Sequence, residues 1–337
     1  MENRHNRWLH RFAVFTACST FFLIIAGGLV TSTGSGLAVP DWPLSYGQLM
    51  PPMVGGIFYE HGHRMVATFV GLLTTILAIW LWRMEERKWV RNLGLIALSA
   101  VITQGLLGGL TVLYLLPTPI SVSHATLAQS FFSLTVILAL VTSKGWLSDG
   151  PAELPAASRT RTWTLAAVGA VFLQLILGAL MRHTNSGLAI PDFPLSYGQI
   201  LPPFDAGSLD SLNSYRLQLD LVPVSLGQIW IHFIHRLGAL LASVVIIGTA
   251  RHILKTYKDV PKMREPALLA LFLLAIQVAL GALTVWNGKG MEIATAHVAC
   301  GALLLATTVF LAVRTHHLYG IQANPRSYSL AVEGSKA

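Results

Sequence analysis

Eight stretches of this chain are each apolar enough, and at about 18 to 24 residues long enough, to cross a bilayer as a helix. They run approximately over Phe12 to Val30, Met65 to Trp82, Leu93 to Leu116, Ala125 to Val141, Trp163 to Met181, Ile229 to Ala250, Pro266 to Trp286 and Ile293 to Val313. This recurrence constrains the fold more than any motif, because backbone in lipid satisfies its polar groups only as helices or closed barrels. The expected fold is all-α, a polytopic membrane protein with eight transmembrane helices. Composition agrees: 11% of the residues are charged and 53% apolar, against roughly a quarter charged in a soluble domain. An ordinary water-soluble enzyme is excluded. The first run is too long for a signal-peptide core, and no small-residue cleavage site follows Val30 before the polar loop, so it reads as a retained helix.

The formal charge of +8 sits in short clusters between apolar runs and lines no single face, so nucleic acid is not an expected partner. Cys18 and Cys300 both lie inside apolar runs, which leaves neither a disulfide framework nor a thiolate zinc site. Lys and Arg set the orientation. Eighteen of the 23 fall at the N-terminus, in the loops after the second, fourth and sixth spans, and in the tail; Arg64, Arg182, Arg216, Arg236 and Lys289 fall on the other side. The positive-inside rule then puts both termini in the cytoplasm. About eleven residues before the first span leave no room for a mitochondrial transit peptide, so a bacterial inner (plasma) membrane is expected.

The chain also repeats itself. Ser35 to Pro52 reads SGLAVPDWPLSYGQLMPP and Ser186 to Pro203 reads SGLAIPDFPLSYGQILPP, identical at 14 of 18 positions with apolar exchanges elsewhere. The register continues through His63-Arg64 with His235-Arg236, Gln104 with Gln277, and His124 with His297. Four spans per half make two pseudo-symmetric four-helix bundles entering the membrane in one direction, a parallel repeat. The expected organisation is an N-terminal half over 1–145, a cytoplasmic linker over 146–162, a C-terminal half over 163–320 and a cytoplasmic tail over 321–337. The halves differ twice. The second carries 21 extra residues between Gln199 and His235, around SLDSLNSYRLQLDLVP, which suit a short surface helix. It also has His232 where the first half has Glu60.

Seven of the twelve histidines read as ordinary polar residues: His5, His10, His252, His316 and His317 among cytoplasmic basic residues, and His61 and His183 beside the outer loops. His63, His124, His235 and His297 differ, because ionisable groups at membrane depth are costly and mark functional sites. Each half has one near the start of its second span and one near the start of its fourth, at similar depth. Two imidazoles on parallel helices can face each other across a flat apolar ligand, the arrangement of axial haem ligation. Zinc would want a compact four-ligand shell that neither half offers, and simple interhelical hydrogen bonding is the remaining alternative. Gly105, Gly108, Gly109, Gly281 and Ala282 leave room for a macrocycle or for close helix packing. Arg64 and Arg236 suit haem propionates or generic snorkelling. Glu60, His63 and Arg64 share one helix face at i, i+3 and i+4, so an acid-base group flanks the first site only. The Pro40-Asp41-Trp42-Pro43 and Pro191-Asp192-Phe193-Pro194 segments read as rigid turns with an interfacial aromatic.

The PDWPL loop, EHGHR over Glu60 to Arg64, SHATLAQ with His124, IHFIHR with His235 and AHVACGA with His297 resemble the heme A synthase family across both halves. The resemblance implies an oxidoreductase that converts the C8 methyl of haem O to a formyl group, giving haem A for terminal oxidases through a hydroxylated intermediate with water as oxygen source. It implies haem b as cofactor on the irons' ligands His235 and His297 with Arg236, substrate haem O at His63 and His124 with Arg64, and Glu60 at the family's essential acidic position. The partners implied are haem O synthase (protohaem farnesyltransferase) as donor and a membrane electron acceptor, and a homo-oligomer is compatible with it. Some members carry a cysteine pair in the outer loops; Ser45 and Ser196 stand in this chain's LSYGQ segments, so thiol-dependent steps cannot operate. A di-haem b-type electron carrier and a parallel-repeat transporter are the alternatives. The former would not require the Glu60/His232 difference, and the latter would show broken helices in the Gly-rich third and seventh spans.

Overall fold

The computed structural model describes residues 5–148, 157–203 and 205–323. The described chain is all-helical: α1 (Arg7–Ser32), α2 (Gly55–Met84), α3 (Lys88–Leu113), α4 (Thr118–Val141), the single turn α5 (Lys144–Leu147), α6 (Ala157–His183), α7 (Ala206–Gln218), α8 (Leu226–Thr256), α9 (Pro261–Trp286) and α10 (Met291–Ala323). Eight of these are long and apolar enough to cross a membrane, which makes this a multi-pass membrane protein. No strand occurs among the described residues, only isolated bridges between Ser45 and Gln48 and between Ser196 and Gln199. Much of the 146–162 linker and of the 321–337 tail lies outside the described residues.

The helices start where capping side chains meet the first free amides. Asn6 accepts from the amides of Trp8 and Leu9 at 3.1 Å each, and Ser225 and Gln228 form a reciprocal capping box at α8. The apolar pattern is that of a lipid-embedded bundle. Along α8, Leu240, Val244 and Ile247 are all exposed, a continuous outward stripe that water would not tolerate. Interior polar groups are satisfied locally: Thr20, Thr74 and Thr142 donate to the carbonyls four residues back at 2.8 Å.

In the first half α1 packs on α2, α2 on α3, α3 on α4 and α4 back on α1; in the second, α6 packs on α8, α8 on α9, α9 on α10 and α10 back on α6. Leu77, Leu81, Val90 and Leu138 lie in the first core, and Ile246, Leu304 and Leu305 in the second. The halves meet through α1, α4, α6 and α10, where Ile24, Phe132, Ala302 and Ala306 are buried together.

The helices outrun the apolar stretches at the end that carries the repeated loops. The second begins at Gly55, ten residues before Met65, because its first turns carry polar side chains that pack beneath the loop. The inserted segment forms the short helix α7 expected from its sequence, capped by Asp205, which accepts from the amide of Ser208 at 2.8 Å. The buried Arg216 ties α7 to the second loop by donating to the carbonyls of Leu188 and Val222 and to the Tyr197 hydroxyl. The Gly-rich segments of α3 and α9 run as unbroken helix, so the features that would favour a transporter are not there.

Candidate functional site

The two repeated loops fold alike. The Asp41 carboxylate accepts from the amides of Tyr46 at 2.7 Å and Gly47 at 2.8 Å, and Asp192 repeats both contacts with Tyr197 and Gly198. The amides of Gly47 and Tyr46 hold the Asp41 carboxyl below the usual carboxylate range. Tyr46 and Gly47 take φ of 53° and 69°, and Tyr197 and Gly198 take 56° and 76°; glycine suits the second position of each pair. Both loops contain a cis X–Pro bond, Trp42–Pro43 and Phe193–Pro194. The Trp42 indole covers Gly109 of α3 so closely that a Cβ there would lie 2.6 Å from the ring. Gly109 therefore makes room for Trp42 rather than for a ligand. The second half pairs the smaller ring of Phe193 with Ala282 at the equivalent positions.

Arg64 and Arg236 hold these loops to their helices. Arg64 donates to the carbonyls of Asp41, Leu44 and Val39 at 2.8, 2.9 and 3.1 Å and to Glu60 at 2.7 Å. Arg236 donates to the carbonyls of Leu195, Asp192 and Ile190 at 2.8, 2.6 and 3.2 Å. The terminal nitrogens of both guanidiniums are thus engaged by loop carbonyls. A guanidinium's planar fork of donors is suited to gathering several carbonyls.

Glu60 is buried, 3% exposed, and accepts from the amide of Val39 at 2.7 Å as well as from Arg64. Its counterpart His232, also 3% exposed, takes up the same two positions: its Nδ1 accepts from the amide of Ile190 at 3.1 Å and its Nε2 lies 3.2 Å from Nε of Arg236. A carboxylate can accept both donors, whereas a neutral imidazole can accept only one. The two residues thus share a place in the architecture and differ in charge.

The four histidines singled out from sequence sit seven to ten residues into α2, α4, α8 and α10, all at the repeated-loop end. Each ring lies against a glycine on a neighbouring helix. A Cβ at Gly27 would stand 3.1 Å from Cε1 of His63, at Gly108 3.2 Å from His124, at Gly178 3.1 Å from His235 and at Gly281 3.2 Å from His297. Gly27 and Gly178 were not picked out from sequence, although the register that aligns Ser35 with Ser186 also aligns them. His63 stands within electrostatic reach of His124, and His235 within that of His297. The ring nitrogens Nδ1 of His63, His124 and His297 are buried without a hydrogen-bond partner, a costly arrangement that a ligand would relieve. Among the described residues no three or more His, Cys, Asp or Glu side chains gather as a metal shell.

Glutamines brace three of the four rings. The Gln104 amide lies 3.0 Å from the carbonyl and 3.3 Å from Nε2 of His124, and Gln277 lies 3.4 Å from Nε2 of His297. Gln174 reaches the carbonyl of His235 at 3.0 Å and both its ring nitrogens at 3.1 and 3.3 Å.

His316 is exposed, but His10, His252 and His317 are less solvated than their basic neighbourhoods suggested. His10 lies 3.3 Å from Thr142 Oγ1, His252 lies 2.8 Å from Thr160 Oγ1, and His317 stacks on Trp146 with centroids 3.9 Å apart. His61 is buried, 2.8 Å from Ser45 Oγ. At the same end Arg182 donates to Ser32 Oγ at 3.0 Å, and none of the ion pairs among the described residues includes Arg182 or Lys289. Burial and the Arg182 charge pull the Lys289 ammonium below the usual lysine range.

Fold and site define a class: a helical membrane protein carrying a pair of glycine-cradled histidines in each half, with a buried carboxylate beside the first pair only. A model of the cytochrome oxidase assembly protein family matches residues 10–56 and 54–309. The Heme A synthase of Geobacillus kaustophilus is 29% identical over 92% of this chain and 93% of its own length. That of Symbiobacterium thermophilum is 30% identical over 77% and 80%, and that of Lysinibacillus sphaericus 27% over 91% and 95%. The chain belongs to the heme A synthase family of cytochrome oxidase assembly proteins.

Proposed function

We propose that the chain oxidises the C8 methyl group of haem O to a formyl group, yielding haem A, with the substrate held between His63 and His124 and a resident haem b between His235 and His297. The observation that carries this reading is the doubled histidine pair with a carboxylate beside one pair alone. The donor set fits the group: buried ring nitrogens lack partners, and glycines leave the rings accessible from the neighbouring helix. Arg64 and Arg236 act as clamps that hold the loops down over the sites and keep water from them. Arg182 and Lys289, cations at this end that take part in no ion pair among the described residues, are the better candidates for propionate carboxylates.

The chemistry runs in two rounds. In each, the methyl-derived carbon loses two electrons and two protons and gains the oxygen of one water. The first round gives the alcohol, and the second gives the hydrate, which loses water to leave the aldehyde. Glu60 stabilises positive charge as it develops on the carbon or accepts a proton from the attacking water. Haem b supplies a one-electron redox centre, and a membrane acceptor takes the four electrons. The positive-inside distribution supports an inner-membrane orientation with cytoplasmic termini, placing the sites toward the outer leaflet. Haem O synthase is the source of the substrate.

The test is coexpression of the full chain with a haem O-producing enzyme in cells that lack haem A, followed by chromatography of the extracted pigments. Haem A is expected alongside haem B. Haem B alone would show a b-type electron carrier instead and end this reading.

A further inference from the structure

Three of the four site histidines are braced by a glutamine and one is not. The position one turn below Gly178 in α6 is Gln174; the same position below Gly27 in α1 is Leu23. The difference reaches a second helix. The Gln174 side chain lies over Gly238 of α8, where a Cβ would fall 2.3 Å from its Oε1. The corresponding residue of α2 is Val66, and Leu23 and Val66 each pack against the first apolar core. Gln174–Gly238 and Leu23–Val66 are therefore two coordinated solutions to one place in the repeat. The first grips the histidine ring and its carbonyl, and the second places hydrocarbon side chains there, which offer the His63 ring no hydrogen bond.

We propose that this pair of exchanges makes the second site retentive and the first exchangeable: Gln174, with the room made by Gly238, fixes His235 as a permanent ligand, whereas His63 is left free to reorient so that one macrocycle can leave and another enter. This rests on the assignment of the resident haem to His235 and His297. The physical basis is that a ligand histidine whose other ring N–H is held by an outer-shell acceptor, the role open to the Gln174 amide oxygen when Nε2 of His235 takes the iron, binds its metal more tightly, and loss of such a partner costs about 10–100-fold. An enzyme that turns over a haem-sized substrate needs two like sites with unlike exit rates, and a permanent ligand on both sides of the substrate iron would trap the product.

The full-length chain in detergent, loaded with ferric haem B as the probe at both sites, is mixed with excess apomyoglobin, and transfer is followed by absorbance. The native chain is expected to release haem in a fast and a slow phase. Gln174→Leu with Gly238→Val should accelerate the slow phase at least about tenfold, and Leu23→Gln with Val66→Gly should slow the fast phase. Gly238→Ala alone, which displaces the Gln174 amide without removing it, should also accelerate the slow phase and shift the low-spin electron paramagnetic resonance signal that reports imidazole orientation. Unchanged slow-phase release and signal in both second-half variants would overturn the proposal. The underlying assignment is checked separately by His235→Ala: loss of the slow phase upholds it, whereas loss of the fast phase alone contradicts it whatever Gln174 does.

Discussion

Replacing Glu60 with His should leave a folded, haem b-containing protein that forms haem A at least about 100-fold more slowly, the scale of a lost general acid or base. The choice of histidine follows from the second half, where His232 occupies the same place and accepts from the amide of Ile190 as Glu60 accepts from that of Val39. The substitution thus keeps an acceptor for the loop amide while removing the negative charge. Glu60→Ala removes both, so it should lose activity and also lower the melting temperature, because a buried amide left without its acceptor costs about 1–3 kcal/mol. Haem A formation rates and thermal melts of the two variants separate the roles. A Glu60→His protein with native rates would reduce Glu60 to a loop fastener.

Enlarging the glycine cradles should strip haem without touching a histidine. At Gly178 and Gly281 a Cβ would already lie 3.1 and 3.2 Å from an imidazole, and the branched methyls of valine press further into the ring. Gly178→Val or Gly281→Val should cut the haem b content of purified protein at least about tenfold, the size of effect expected when a ligand's orientation is lost. Overpacking of this kind also costs about 1–3 kcal/mol of stability. Gly27→Val or Gly108→Val should spare haem b and depress product formation. Haem content by the pyridine haemochrome assay, set against protein concentration, reads the difference; equal haem b in all four variants would mean that the glycines merely pack helices.

Much of this architecture is legible in the residues. The spans follow from unbroken apolar runs and the duplication from near-identity of Ser35 to Pro52 with Ser186 to Pro203. The four histidines stand out because each recurs in register at a depth where it is expensive. Helix starts were less legible: the EHGHR stretch is polar, and hydropathy alone cannot tell that it lies in the second and third turns of α2 beneath a loop rather than in the loop. The loop contacts of Arg64 and Arg236 are hidden for a related reason. Their partners are backbone carbonyls of Val39, Asp41, Ile190 and Asp192, which every residue possesses and no sequence marks. Gly27 and Gly178 face rings on other helices, so their purpose appears only when helix pairing is known. The Gln174 and Leu23 difference was open to inspection in the aligned halves, but without Gly238 and Val66 across from them it carried no meaning.

The central claim is that each half grips one haem through its own two histidines, the first half the substrate and the second the resident cofactor. The most direct measurement is haem speciation in two double variants, each coexpressed with a haem O-producing enzyme: His63→Ala with His124→Ala, and His235→Ala with His297→Ala. The account requires the first to keep haem b and contain neither haem O nor haem A, and the second to lose haem b. If the first variant lost haem b while the second retained it, or if both lost every haem alike, the assignment of one haem to each pair would be wrong.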